Sequence, residues 1–126
     1  MDHIQINSLR LNNFRNYSHL DILFNQQINL VTGLNGAGKT SILDAVYYLA
    51  NGKSYFSHLD GHIYKRGENF FRLEASFSIA DSKYQLTVQS SDSRPKQIQI
   101  DEKAVKAIVE HIGRFPAFMI APKDIL

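Results

Sequence analysis

The chain has 126 residues, of which 44% are hydrophobic and 21% charged, a composition typical of one folded domain and not of a disordered chain. Fourteen lysines and arginines against twelve aspartates and glutamates leave a formal charge of +2, so net charge alone does not indicate a polyanion partner. The sequence has no cysteine, which excludes disulfides and thiolate metal sites. It also has no apolar stretch long enough to span a membrane and no apolar core of a signal peptide. We therefore expect a cytoplasmic protein with no membrane partner.

Two alternating stretches near the amino terminus predict an antiparallel pair of strands. Residues 4–14 place apolar side chains at every second position, with a phase slip at Ser8. Residues 19–25 alternate again after a polar turn over residues 12–18. One face of this pair is expected to be buried.

A strand and a helix are predicted on either side of a glycine-rich segment. Residues 28–32 are nearly all apolar, as in a strand buried on both faces. From Gly38 onward apolar residues recur at helical spacing, and Gly52 is well placed to end the helix.

The rest of the chain is predicted to form a loop, a strand meander, a short helix and a last buried strand. The loop covers residues 53–69, the meander strands 70–79, 84–90 and 96–100, the helix 105–112, and the last strand 117–121. The fold class predicted is α/β, with parallel core strands beside a sizeable antiparallel meander.

The glycine-rich segment, GLNGAGKTS at residues 33–41, matches the phosphate-loop pattern G-x-x-x-x-G-K-[ST]. Its glycines permit close backbone approach, so that successive N–H groups can surround a phosphate at the start of a helix. Lys39 can reach the β- and γ-phosphates, and the Thr40 hydroxyl can bind Mg²⁺. A chance glycine-rich turn is the alternative, but the strand before the loop and the helix after it are the context that the motif requires. The sequence therefore predicts a nucleotide site.

Residues within and around this loop resemble a known family. The loop is similar to those of ABC-type ATPase heads of the SMC and RecF group, which read G-x-N-G-x-G-K-[ST]. The resemblance to the amino-terminal end of the RecF family is closer. Its patterns L-x-L-x-x-F-R-N-Y, L-[ED]-A and G-[RK]-S correspond to residues 9–17, 43–45 and 52–54, and residues 112–126 resemble a later segment.

The resemblance implies a P-loop NTPase fold and ATP with Mg²⁺ as ligands. It places the Asn35 side chain at the γ-phosphate and Arg15, in the turn after the first strand, on the nucleotide phosphates, a task suited to an always-charged donor. Without the family, Arg15 is more simply interpreted as a solvated residue of a polar turn. The nucleotide-binding set implied is Arg15, Gly33, Asn35, Gly36, Ala37, Gly38, Lys39, Thr40 and Ser41.

Basic residues after the predicted helix are candidates for contacts with DNA. Lys53, Lys65 and Arg66 lie at basic positions of the family and could bind a phosphate backbone; an exposed charged loop is the equal alternative. The family often has arginine where this chain has Phe56, which puts in doubt any DNA or nucleotide contact there.

Groups needed for ATP hydrolysis are not found in the sequence. No apolar run ends in Asp-Glu, and no S-G-G signature occurs. Asp124 is a weak candidate for a position near Mg²⁺, with a helix-capping role as the alternative. We therefore expect residues 1–126 to be the amino-terminal part of an ATPase head, its first lobe, without the second lobe or the coiled-coil arm, and to be inactive in ATP turnover.

The resemblance also implies a function for the full protein. It would dimerise on ATP, bind DNA at gaps, act with RecR and RecO, and support RecA loading in recombinational repair, replication restart and the SOS response. The alternatives are a head of another SMC-like chromosome or repair ATPase and, less in keeping with the hairpin before the loop, a P-loop kinase.

Overall fold

The computed structural model describes residues 4–25, 39–56, 63–101 and 103–104. In this part of the chain, antiparallel strands form a sheet of order β2-β1-β3-β4-β5-β6, and one helix packs on it. The elements are β1 (Ile4–Phe14), β2 (Tyr17–Leu23), α1 (Lys39–Asn51), β3 (Phe70–Ile79), β4 (Ser82–Ser91), β5 (Gln97–Ile100) and β6 (Lys103–Ala104). Within the described residues, no helix is long and apolar enough to cross a membrane.

The amino-terminal strand pair is confirmed, with a tighter turn than the sequence predicts. The phase slip at Ser8 corresponds to a shift of register between β1 and β3 at Ile6 and Ser8. Phe14 pairs with Tyr17, so the turn between β1 and β2 contains two residues and not the polar stretch 12–18. Residues 12–14 and 17–18 belong to the strands although most of them are polar, which is why their polarity indicated a longer loop.

One face of the sheet and one side of α1 form the core. Alternate residues of β3 are buried, as the period-two pattern predicts. Phe14, Tyr48 and Phe71 meet edge to face, with ring centroids 5.2 to 6.4 Å apart. The other buried apolar side chains of β1, α1, β3, β4 and β5 are Leu9, Leu11, Ile42, Ala45, Leu49, Ala50, Leu73, Ala75, Phe77, Leu86, Val88 and Ile98.

The carboxyl end of α1 lies where the sequence predicts it and is fixed by a distant lysine. Gly52 has a φ of 74° and its N–H donates to the Tyr48 carbonyl at 2.7 Å, a left-handed helix end that favours glycine. The Lys96 ammonium donates to the Gly52 carbonyl at 2.7 Å and lies 4.9 Å from the centroid of the Tyr48 ring. A cation here also interacts favourably with the negative end of the helix dipole.

The strand meander is confirmed for β3, β4 and β5. Ile79 pairs with Ser82, so the turn is confined to Ala80 and Asp81 within the predicted stretch 80–83. The two-residue strand β6 pairs with β5 and was not predicted from the sequence. The predicted strands at 28–32 and 117–121 and the helix at 105–112 lie outside the described residues.

Candidate nucleotide and phosphate site

The turn between β1 and β2 is backbone-strained and tied to a later segment of the chain. Asn13 and Arg15 have φ values of 55° and 54°, in the left-handed region that costs a residue with a Cβ about 1–2 kcal/mol. The Arg15 N–H donates to the Ile63 carbonyl at 2.7 Å, and the Lys65 N–H donates to the Asn13 carbonyl at 2.8 Å. These bonds place residues 63–66 beside the turn.

The Arg15 side chain forms a buried ion pair with α1. Its Nη2 donates to Asp44 Oδ2 at 2.9 Å and to Ser54 Oγ at 3.1 Å. Asp44 is fully buried, whereas 26% of the Arg15 side chain is exposed. The structure therefore does not support the alternative of a solvated arginine in a polar turn.

Asp44 and Ser54 are linked to each other as well as to Arg15. Ser54 Oγ donates to Asp44 Oδ2 at 2.6 Å, and the Tyr55 N–H donates to Asp44 Oδ1 at 2.8 Å. Asp44 and Ser54 were not among the residues predicted for the site, although both lie in the patterns L-[ED]-A and G-[RK]-S. Their positions in those patterns were the one sign in the sequence that they have a role. Their common partner, Arg15, is 29 and 39 residues away in the sequence, so the contact could not be read from it.

Two further features distinguish the guanidinium of Arg15. Its Nε is buried and has no hydrogen-bond partner within the described part of the chain. The Phe56 ring, at the position where the family often has arginine, lies with its centroid 5.8 Å from Arg15 Cζ, a distance at which a ring attracts a cation. Phe56 is thus a neighbour of the cation and supplies no charge of its own.

An open notch of about 420 Å³ lies beside the turn and is lined by Arg15, Asn16, Tyr64, Lys65 and Arg66. We call it the basic notch, because three of its lining residues are cationic and none is acidic. Of the predicted phosphate and DNA contacts, it brings together Arg15, Lys65 and Arg66. Lys53 is exposed and is not part of the lining. Convergent arginine and lysine donors are the chemistry of a phosphate site.

The phosphate loop itself is described only at its end. Residues 33–38 and the side chain of Lys39 lie outside the described residues, as does Asp124. Helix α1 begins at Lys39, as the motif requires, with Thr40 exposed and Ser41 buried in its first turn. The described residues contain no cluster of three or more potential metal ligands. The predicted phosphate contacts of the loop and the predicted Mg²⁺ contacts of Thr40 and Asp124 therefore stay predictions.

The AAA domain family profile matches residues 8–114 of the chain. The chain belongs to the AAA domain family. This AAA domain is 37% identical over 121 residues to the DNA replication and repair protein RecF of Flavobacterium johnsoniae, covering 96% of the chain and 34% of the relative. It is 36% identical over 122 residues to RecF of Clostridium acetobutylicum, covering 95% of the chain and 33% of the relative. It therefore spans about a third of the length of the curated relatives it matches.

Solved structures with the same fold are RecF and SMC ATPase heads. The recombination mediator protein RecF with ATP superposes with a TM-score of 0.91 at 25% identity, over 99% of this AAA domain and 35% of that chain. An SMC ATPase superposes with a TM-score of 0.78 at 16% identity, over 96% of this domain and 88% of that chain, a likeness of fold alone. The predicted P-loop NTPase fold and the resemblance to RecF are confirmed.

Proposed function

We propose that the chain is the ATP-binding, amino-terminal lobe of a RecF-like recombination mediator. The observation that carries this proposal is the superposition on RecF with ATP. The GLNGAGKTS segment that leads into α1 supports it, because its glycines, Lys39 and Thr40 have the types and spacing of a phosphate loop. Asn35 would face the γ-phosphate, Thr40 would bind Mg²⁺, and Asp124 would lie near the metal in the full protein.

The proposal has a direct binding test on the 126-residue chain. We expect weak ATP binding by isothermal titration calorimetry, and we expect Lys39→Ala to reduce it further because the β- and γ-phosphates lose their ammonium contact. Lys83→Ala is the matched control, since Lys83 is an exposed lysine in the first part of β4. ATP binding that is equal in the Lys39 and Lys83 variants would refute the nucleotide site.

We also propose that this chain alone does not turn ATP over. Its sequence contains neither an apolar strand ending in Asp-Glu nor an S-G-G signature, the groups that hold Mg²⁺ and complete the site across a dimer in such heads. A steady-state phosphate-release assay should give the buffer rate. Turnover that disappears in Lys39→Ala would contradict this expectation.

In the full protein, which we place in the cytoplasm, ATP would hold two heads together. The dimer would bind gapped DNA and act with RecR and RecO in loading RecA. We assign the DNA contacts to Lys53, Lys65 and Arg66, of which Lys65 and Arg66 line the basic notch. Each lost phosphate contact should lower the slope of log affinity against log salt by about 1. Lysine-to-alanine variants that leave this slope unchanged would contradict the assignment.

A second candidate is the head of another SMC-like chromosome or repair ATPase. The observation in its favour is the likeness of fold to an SMC ATPase, of which this chain covers 88%. Binding of the full protein to RecR in the presence of ATP would favour the RecF-like function, and its absence would favour the second candidate.

A further inference from the structure

We propose that Asp44 and Ser54 are positioning residues that aim the Arg15 guanidinium into the basic notch, where it binds a phosphate group. This inference rests on the proposed function, because the phosphate considered first is that of ATP. Neither residue lines the notch. Both would act through Arg15.

The polar contacts of Arg15 fix one end of its guanidinium and leave the rest of its donors available. Nη2 carries two N–H groups, and it donates to Asp44 at 2.9 Å and to Ser54 at 3.1 Å. Among the described residues, these bonds to Nη2 are the only side-chain hydrogen bonds of Arg15. A two-pronged ion pair with Asp44 would have used a second nitrogen as well. The one-nitrogen attachment therefore leaves the Nη1 donors for a second anion.

The groups that hold Nη2 are themselves fixed by further hydrogen bonds. Ser54 Oγ donates to Asp44, accepts from Arg15, and accepts from the Phe56 N–H at 3.0 Å. The other oxygen of Asp44 accepts from the Tyr55 N–H at 2.8 Å. A hydroxyl with its donor and both acceptor positions used cannot rotate without losing a bond. The direction of the guanidinium is therefore set by α1 and by residues 54–56.

Two unfavourable features coincide at Arg15 and indicate a role beyond stability. Its backbone has a φ of 54°, and its buried Nε has no hydrogen-bond partner among the described residues. Strained backbone and unpaired buried donors in native proteins are concentrated at functional sites, where other interactions maintain them. An arginine that only stabilised the fold would need neither a left-handed backbone nor an unpaired buried Nε.

Charge separates the role of Arg15 from that of its neighbours in the notch. Asp44 neutralises Arg15, so the net positive charge of the notch comes from Lys65 and Arg66. Lys65 and Arg66 should therefore govern the salt dependence of binding, whereas Arg15 supplies a donor of fixed direction. Ser54→Ala changes no charge, so it should weaken phosphate binding without altering the salt dependence.

The test is a double-mutant cycle on the 126-residue chain with Arg15→Met, Ser54→Ala and the double variant, using Mg·ATP as one probe and a single-stranded oligonucleotide as another. Ser54→Ala should weaken binding of one probe by about three- to tenfold at every salt concentration. It should have no further effect in the Arg15→Met background, because Ser54 acts through Arg15. The probe affected identifies the source of the phosphate. Asp21→Asn, which removes an exposed Arg–Asp pair of the same 2.9 Å length, is the control and should leave binding unchanged.

The outcomes separate this inference from the proposed function. Loss of ATP binding in Lys39→Ala supports the nucleotide site whatever Ser54 does. Unchanged affinity for both probes in Ser54→Ala, or an equal loss in the presence and absence of Arg15, would overturn the positioning role. An effect on the oligonucleotide alone, with no ATP binding by the unmodified chain, would support the positioning role and refute the nucleotide site. Urea unfolding of each variant, with binding measured where the protein is folded, excludes simple unfolding as the cause.

Discussion

Asp44→Asn is the substitution for which the structure gives the sharpest expectation of stability. The amide keeps the shape of the carboxylate, and its oxygen can still accept from the Tyr55 N–H. Its nitrogen would then occupy the position of Oδ2, which is 2.6 Å from Ser54 Oγ and 2.9 Å from Arg15 Nη2. The amide nitrogen is a donor, and it would face the Ser54 hydroxyl and Arg15 Nη2, which both donate to this position in the wild type. The positive charge of Arg15 would also lose its partner.

The magnitude follows from the burial of the two partners. Removing one partner of a buried ion pair costs about 3–5 kcal/mol, because the other charge is left uncompensated. Arg15 is 26% exposed, so water can solvate part of its charge and the loss should lie near the lower end of that range. With a urea dependence of about 1–3 kcal/mol/M for a small domain, a loss of about 3 kcal/mol should lower the unfolding midpoint by about 1–3 M.

Equilibrium unfolding in urea, followed by circular dichroism, measures this shift. The control is Asp21→Asn, whose exposed partner Arg10 lies at the same 2.9 Å and should move the midpoint far less. If Asp44→Asn shifts the midpoint no more than Asp21→Asn does, the buried pair contributes nothing that a surface pair does not, and the reasoning from burial fails.

Other substitutions test single features of the fold. Lys96→Met should lower the free energy of unfolding by about 0.5–1.5 kcal/mol in urea, because the Gly52 carbonyl loses its donor; an unchanged value would contradict the capping role. Ala80→Gly should raise it by up to about 1 kcal/mol, because the φ of 52° is strained only for a residue with a Cβ; a loss of stability would contradict this. The hydrogen bond from Arg10 holds the pKa of Asp21 below its usual value, so ionised Asp21 stabilises the fold at neutral pH and this contribution is lost as pH falls through the lowered pKa. The unfolding midpoints of the wild type and Asp21→Asn should therefore converge in acid, and a difference that persists there would refute the assignment.

Local pattern predicted those elements whose signal is contained in a short stretch of sequence. The alternation in β1, β3 and β4 indicated strands, and the phase slip at Ser8 even located the shift of register. Gly52 marked the end of α1 because a left-handed helix end favours glycine. The predicted polar turn before β2 was too long, because polar residues at the ends of strands and polar residues in turns have the same composition.

The contacts that build the candidate site were not predictable from such patterns. Arg15 meets Asp44 and Ser54 across separations of 29 and 39 residues. No helical or strand period connects positions so far apart, so the pairing appears only when the chain is folded. The family resemblance predicted a functional role for Arg15, but it did not predict the carboxylate and hydroxyl that hold its guanidinium.

The buried pair of Arg15 and Asp44 has a consequence for how this sequence can diverge. A substitution at either position alone leaves a charge in the interior, so the two positions should change together across lineages or not at all. Ser54 is neutral, so its loss leaves no buried charge and should cost less stability than the loss of either charged partner. A relative that lacks the arginine yet keeps the acidic residue should then have acquired another cation near it, and that replacement would identify a different solution to the same constraint.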